Sequence, residues 1–135
     1  MKILLVEDDI MLNEMITEYI TSTGHAIKSV KTGNESLEIL DKEKFDLLIL
    51  DINLPDIDGF TILEKLHEQK RMIPTIYISA LIDIEDISRA FDLGCFDYLK
   101  KPFHLKELTL RINKILKTRI VPQTHKRLSK HYSFD

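Results

Sequence analysis

Three stretches of this chain are apolar, or nearly so, and too short for helices: ILLV at residues 3–6, LLIL at 47–50 and TIYI at 75–78. A strand with one wet face alternates apolar and polar residues. A run without that alternation is buried on both faces, as strands are in a parallel sheet covered by helices. Each run also stops on a polar group. The first meets Glu7, Asp8 and Asp9, the second Asp51 and the third Ser79. AIKSV at 26–30 and CFDYL at 95–99 are shorter or more polar, as expected of strands nearer the edges.

Helical periods lie between the strands. Met11, Met15 and Tyr19, with Leu12, Ile16 and Ile20, place apolar groups four residues apart, and Gly24 is positioned to end that helix. Leu37 and Leu40 mark a second helix, and Phe60, Leu63 and Leu66 a third. Ile84, Ile87 and Phe91 mark a fourth, stopped by Gly94, and Leu105, Leu108, Ile112 and Ile115 a fifth. Five βα units with room for right-handed crossovers imply a doubly wound α/β domain. Ligands of such sheets bind outside the carboxyl ends of the strands, so function is sought there.

With 135 residues the chain has the length of one domain and enough material for a core. Its 30% charged residues sum to a net charge of -3, which argues against a general nucleic-acid surface. The single cysteine, Cys95, excludes an internal disulfide and multi-cysteine zinc sites, and reads as a packing residue in a cytoplasmic protein. The start, MKILLVEDD, meets acid too early for a signal peptide or a membrane span, so no membrane partner is expected. The five histidines show no metal spacing; His104 reads as the start of the fifth helix.

All the strand ends project from one edge of the sheet, which gathers Glu7, Asp8, Asp51, Ser79 and the Lys101 that follows the fifth strand. Taken singly, strand-end acids often cap helices or face water. Together they form an acidic cup that is tolerable only with a cation. Mg2+ suits a few carboxylate oxygens plus water, and Mn2+ is a possible substitute. Asp51 is the best nucleophile for phosphorus, Asp8 and less directly Glu7 are metal ligands, and the backbone carbonyl of Asn53 supplies another. Lys101 and the Ser79 hydroxyl can meet phosphoryl oxygens. Asp56 and Asp58 lie past the metal turn and read as solvated loop or caps of the third helix.

The motifs ILLVEDD, LLILDINLPDIDG, IYISA and DYLKKPF resemble the receiver domain of two-component response regulators over about residues 1–119. The resemblance implies a flavodoxin-like fold with strand order 2-1-3-4-5 and five helices. It also implies a phosphoacceptor at Asp51, Mg2+ at Glu7, Asp8, Asp51 and the Asn53 carbonyl, a switch hydroxyl at Ser79, the site lysine at Lys101 and a switch aromatic at Tyr98. Asp9 then caps the first helix, and Lys101–Pro102 is a candidate cis peptide bond. A sensor histidine kinase is the implied phosphodonor. The chain is then a phosphorylated switch rather than an enzyme of turnover.

Closer comparison points to the subfamily with a winged-helix output of the OmpR and PhoB type, which pairs through helix four, strand five and helix five. Asp97 and Arg111 match one ion pair of that homodimer, and Glu107 matches the acid of another. Ile87 stands where its basic partner belongs, and Phe96 and Thr109 replace a third pair, so the charge network is incomplete. Residues 120–135 read as a linker or tail, ending in HYSFD, which looks like the opening strand of a DNA-binding effector domain. DNA is then reached only through that domain. Two alternatives are a stand-alone receiver acting on another protein and a phosphatase of the haloacid dehalogenase type. Against the second, Asn53 stands where that type usually has an aspartate.

Overall fold

The computed structural model describes residues 1–80 and 83–119. Residues 120–135, to which the linker and effector-strand expectations belong, and the side chain of Cys95 lie outside the described residues.

Five strands, β1 (Lys2–Val6), β2 (Ala26–Val30), β3 (Leu47–Asp51), β4 (Thr75–Ser79) and β5 (Cys95–Lys100), alternate with α1 (Ile10–Ser22), α2 (Gly33–Lys42), α3 (Gly59–Glu68), α4 (Ile84–Asp92) and α5 (Leu105–Arg119). The strands form one parallel sheet in the order β2-β1-β3-β4-β5. β3 and β4 each run one residue beyond the apolar stretch, so Asp51 and Ser79 are the last strand residues and inherit the rigidity of the ladder.

Successive strand residues point to opposite faces, and the two halves of the core follow that alternation. Leu4, Val6, Leu48, Leu50 and Tyr77 pack with Leu40 of α2, Phe60, Leu63 and Leu66 of α3 and Ala90 of α4. Ile3, Leu5, Leu47, Ile49, Ile76 and Ile78 pack with Ile16 and Ile20 of α1 and Leu108, Ile112 and Ile115 of α5. Covering both faces explains why these strands carry no polar alternation.

On two helices the apolar residues do not all turn inward. On α1 the buried residues are Asn13, Ile16 and Ile20, whereas Met11 and Met15 are exposed. On α4 only Ala90 is buried; Ile84 is 83% and Phe91 48% exposed. The apolar stripe of α4 therefore faces outward, beside the exposed Phe96 and Tyr98 of β5. Gly24 and Gly94 follow their helices with φ of 94° and 93°, in the left-handed region where a Cβ is penalised. Asp9 caps α1, accepting from Leu12 N at 3.1 Å, and His104 begins α5 by accepting through its carbonyl from Glu107 N at 2.9 Å. No helix among the described residues is long and apolar enough to cross a membrane.

Candidate functional site

Sheet register brings the site together. Val6 lies opposite Leu50, and Asp51 lies opposite Ile78. Glu7, the residue after β1, and Asp51 and Ser79, the last residues of β3 and β4, therefore lie at nearly the same level. Beyond β5 the backbone stays in register, since Lys101 N donates to Ser79 O at 2.8 Å, and the Lys101–Pro102 bond is cis. The lysine side chain crosses the strand ends. Its Nζ donates to Asp51 Oδ2 at 2.9 Å and stands 2.7 Å from Glu7 Oε1.

Glu7 Oε1, buried from solvent, is held by this short ion pair to the Lys101 ammonium. The other oxygen, Oε2, accepts from Asp9 N at 3.0 Å. Glu7 is fully buried, and desolvation pushes its carboxyl up to about 7 against the pull of Lys101 and the Asp9 N–H, with Asp51 adding repulsion. Burial by itself would lower the Lys101 ammonium, but its contacts with Glu7 and Asp51 prevail and hold it above its ordinary value.

Glu7, Asp8 and Asp51 each offer an oxygen within 4.8 Å of the others, Asp8 from an exposed position. Three clustered carboxylates thus share one ammonium, which leaves an excess of negative charge at the strand ends. That donor set, all hard oxygens with water access through Asp8, fits a divalent cation such as Mg2+. An open cleft of about 330 Å³ leads to it between Asp8 and residues 52–58.

Asn53 serves the site in a way its sequence position does not reveal. Its N–H donates to Asp51 Oδ1 at 3.0 Å, and its side-chain amide donates to Ser79 Oγ at 3.3 Å. The amide thereby ties the β3 and β4 ends together, in addition to the carbonyl role expected from sequence. Ser79 is fully buried, and Tyr98, 37% exposed, points outward with its ring edge-on to Phe91 at 6.4 Å.

Asn13 escaped the sequence reading. Buried on α1, it donates through Nδ2 to the carbonyls of Glu7 at 3.0 Å and Val30 at 3.4 Å, fixing the β1–α1 turn that aims Glu7. Its signal was a polar residue three and seven positions before Ile16 and Ile20, on the inward stripe. Gly59 is also dictated by the site. A Cβ there would lie 2.8 Å from Asp51 O and Ile52 Cα, so any other residue would push α3 away from the strand end. Asp58 caps α3 as expected, accepting from Phe60 N at 2.8 Å. Asp56 does not cap α3: its carboxylate accepts from Gly33 N and Asn34 N, both at 2.8 Å, at the start of α2.

Away from the cup, Arg111 on α5 holds both oxygens of Asp97 on β5 at 2.7 Å and reaches Glu107 at 3.5 Å. Residues expected to pair across a homodimer are thus paired within one chain. Ile87 is half-buried on α4.

The receiver domain model of response regulators matches residues 3–113. The chain belongs to the response regulator receiver domain family. It is 38% identical over 114 residues to the transcriptional regulatory protein CrdR of Helicobacter pylori, covering 84% of this chain and 54% of that protein. Over 133 residues it is 34% identical to the response regulator SaeR of Staphylococcus aureus, covering 98% of this chain and 57% of SaeR. The non-phosphorylated HemR receiver domain of Leptospira biflexa shares the fold with a TM-score of 0.80 at 33% identity, over 84% of this chain and 92% of that one. The receiver domain of Francisella response regulator 1452 does so with a TM-score of 0.82 at 30% identity, over 87% and 98%. This receiver spans about half the length of the curated relatives it matches.

Proposed function

We propose that this receiver accepts a phosphoryl group on Asp51 and uses it to switch the surface of α4, β5 and α5. The observation that carries this reading is the Lys101 ammonium, held 2.9 Å from Asp51 Oδ2 and 2.7 Å from Glu7 Oε1 at the edge of a three-carboxylate cup.

An Asp51 oxygen attacks phosphorus of the donor, and the bond to the donor's imidazole nitrogen, or to acetate in a small-molecule donor, breaks with its electron pair leaving on that group. Asp51 is prepared for this by its position on a strand terminus, where the ladder and the Asn53 N–H fix its orientation. Lys101 supplies positive charge where the phosphoryl oxygens arrive. A bound Mg2+, held by Glu7, Asp8, Asp51 and the Asn53 carbonyl, would add the charge neutralisation that three carboxylates and a phosphoryl group require. The donor is a sensor histidine kinase, and the setting is the cytoplasm. The chain acts as a switch, not as an enzyme of turnover.

Once the phosphoryl oxygens are in place, Ser79 exchanges the Asn53 amide for one of them, and Tyr98 turns inward from its exposed position beside Phe91. The face so altered carries Ile84, Phe91, Phe96 and Leu110, each more than two-fifths exposed, and a second copy is its occupant in the phosphorylated state. Asp97, Glu107, Arg111 and Ile87 sit on this face. The partly buried ion pair between Arg111 and Asp97 must be shared or exchanged on pairing, which gives it a role in orienting the two copies. In a longer protein the output would be a DNA-binding effector domain, a reading supported by the similarity to CrdR, a transcriptional regulatory protein.

Incubation with Mg2+ and acetyl phosphate, followed by intact mass, should show one added phosphate that EDTA abolishes. No addition, or addition indifferent to EDTA, would contradict the proposal.

A further inference from the structure

The segment that carries Asn53 is exposed for much of its length. Asn53, Pro55, Asp56 and Asp58 all face solvent, and the segment forms one wall of the cleft opposite Asp8. Its base is closed by an isolated antiparallel bridge between Asn53 and Asp58 and by Gly59 N donating to Ile52 O at 2.9 Å. Its tip is fastened elsewhere, to a helix that contributes nothing else to the cup. Asp56 accepts from the first two N–H groups of α2 through separate oxygens, each at 2.8 Å. Ile57 lies over Gly33 so closely that a Cβ on that glycine would fall 2.7 Å from Ile57 Cδ1 and nearer still to Cγ1.

This tether is not needed to start the helix. Thr32 already caps α2 with a complete capping box, accepting from Glu35 N at 3.1 Å while Glu35 Oε1 accepts from Thr32 N at 3.2 Å. What the Asp56 carboxylate adds is a fixed distance between α2 and the wall of the cleft. Both N–H groups point along the helix axis toward it, where the helix dipole also favours negative charge.

We propose that Asp56 is a positioning residue for the divalent cation: by fastening residues 53–58 to the N-terminus of α2, with Ile57 seated in the space left by Gly33, it holds the Asn53 carbonyl in place for metal binding. This rests on the Mg2+ reading of the acidic cup given above. Partners one shell beyond the ligands commonly change metal affinity by about tenfold or more when removed, and a two-point anchor on an exposed loop belongs in that class.

The test is calorimetric titration of the folded protein with Mg2+ alone, comparing wild type, Asp56→Ala, Asp56→Asn, Gly33→Ala and Thr32→Ala. Asp56→Ala should weaken Mg2+ by about tenfold, and Asp56→Asn, which keeps one acceptor of the two, should fall between it and wild type. Gly33→Ala alters no charge and unseats Ile57, so it should weaken Mg2+ as well, which separates positioning from the loss of a nearby negative charge. Thr32→Ala weakens the same helix start without touching the loop and should leave the affinity within about twofold of wild type on this account. Wild-type affinity in Asp56→Ala and Gly33→Ala, or an equal loss in Thr32→Ala, would overturn the positioning role while leaving the cation site intact. Absence of Mg2+ binding in wild type would instead overturn the reading on which the role rests.

Discussion

The Lys101 ammonium lies 2.9 Å from Oδ2 of Asp51, across 50 residues of sequence, because β3 and β5 deliver both to the same edge of the sheet. Only 21% of the lysine side chain and 4% of the aspartate's is exposed, so the pair is poorly screened. Its charge is committed before any phosphoryl group arrives, which is the sense in which the site is preorganised.

Removing that cation should therefore affect stability as well as chemistry. Lys101→Met leaves Glu7 and Asp51 facing each other, and in metal-free buffer near neutral pH urea unfolding should show a loss of about 1–3 kcal/mol, below the cost of an isolated buried charge because Glu7 can take up a proton. Adding Glu7→Gln should recover much of the loss. An additive loss in the double variant would contradict the electrostatic explanation.

Asn13→Ala should cost about 1–3 kcal/mol, because the carbonyl of Glu7 would be left buried without its donor. Denaturant unfolding measures it. A loss of a few tenths would mean that water replaces the amide.

Asp56 makes a prediction about acid. Desolvation opposes its charged form, but the N–H groups of Asn34 and Gly33 prevail and hold its pKa below the ordinary 3.8. A carboxyl depressed in the folded state contributes stability that is present above the unfolded pKa and is lost as pH falls through the folded one. Thermal unfolding between about pH 5 and 2 should fall less steeply for Asp56→Asn than for wild type. Identical slopes would show that the tether carries no charge dependence.

Lys70 occupies the left-handed region at φ 58°, just past the end of α3, where the N–H groups of Lys70 and Arg71 return to the carbonyls of His67 and Leu66. Lys70→Gly relieves a strain of about 1 kcal/mol and should raise the melting temperature by several degrees. No rise would place the strain elsewhere.

The α4–β5–α5 face should associate only in the activated state. With Mg2+ and beryllofluoride, sedimentation should shift toward twice the monomer mass for wild type and not for Phe91→Asp, whose phosphorylation should be unchanged. A shift in both, or in neither, would count against this face as the interface.

Much of the sheet was legible because burial on both faces removes polar alternation, and runs such as LLIL admit little else. The convergence of Glu7, Asp51, Ser79 and Lys101 followed from placing them at strand ends. Less could be read from helices. Periodicity says that Ile84, Ile87 and Phe91 share a face, but not whether that face meets the sheet or the solvent, and on α4 Ile84 and Phe91 meet the solvent while Ile87 is half-buried. Asp56 is an exposed loop residue as expected, but its cap belongs to α2 and not α3: its partners are the backbone N–H groups of Gly33 and Asn34, which carry no side-chain signal and lie 23 and 22 residues away. Asn53 showed the same limit. Its amide reaches Ser79 only because β3 and β4 are neighbours, a relation invisible within its own segment.

The central claim, that Asp51 is the phosphoacceptor, is tested most directly by intact mass after incubation with Mg2+ and acetyl phosphate, run side by side on wild type and Asp51→Asn. The account predicts one added phosphate in wild type and none in the variant. A phosphate retained on Asp51→Asn would contradict it.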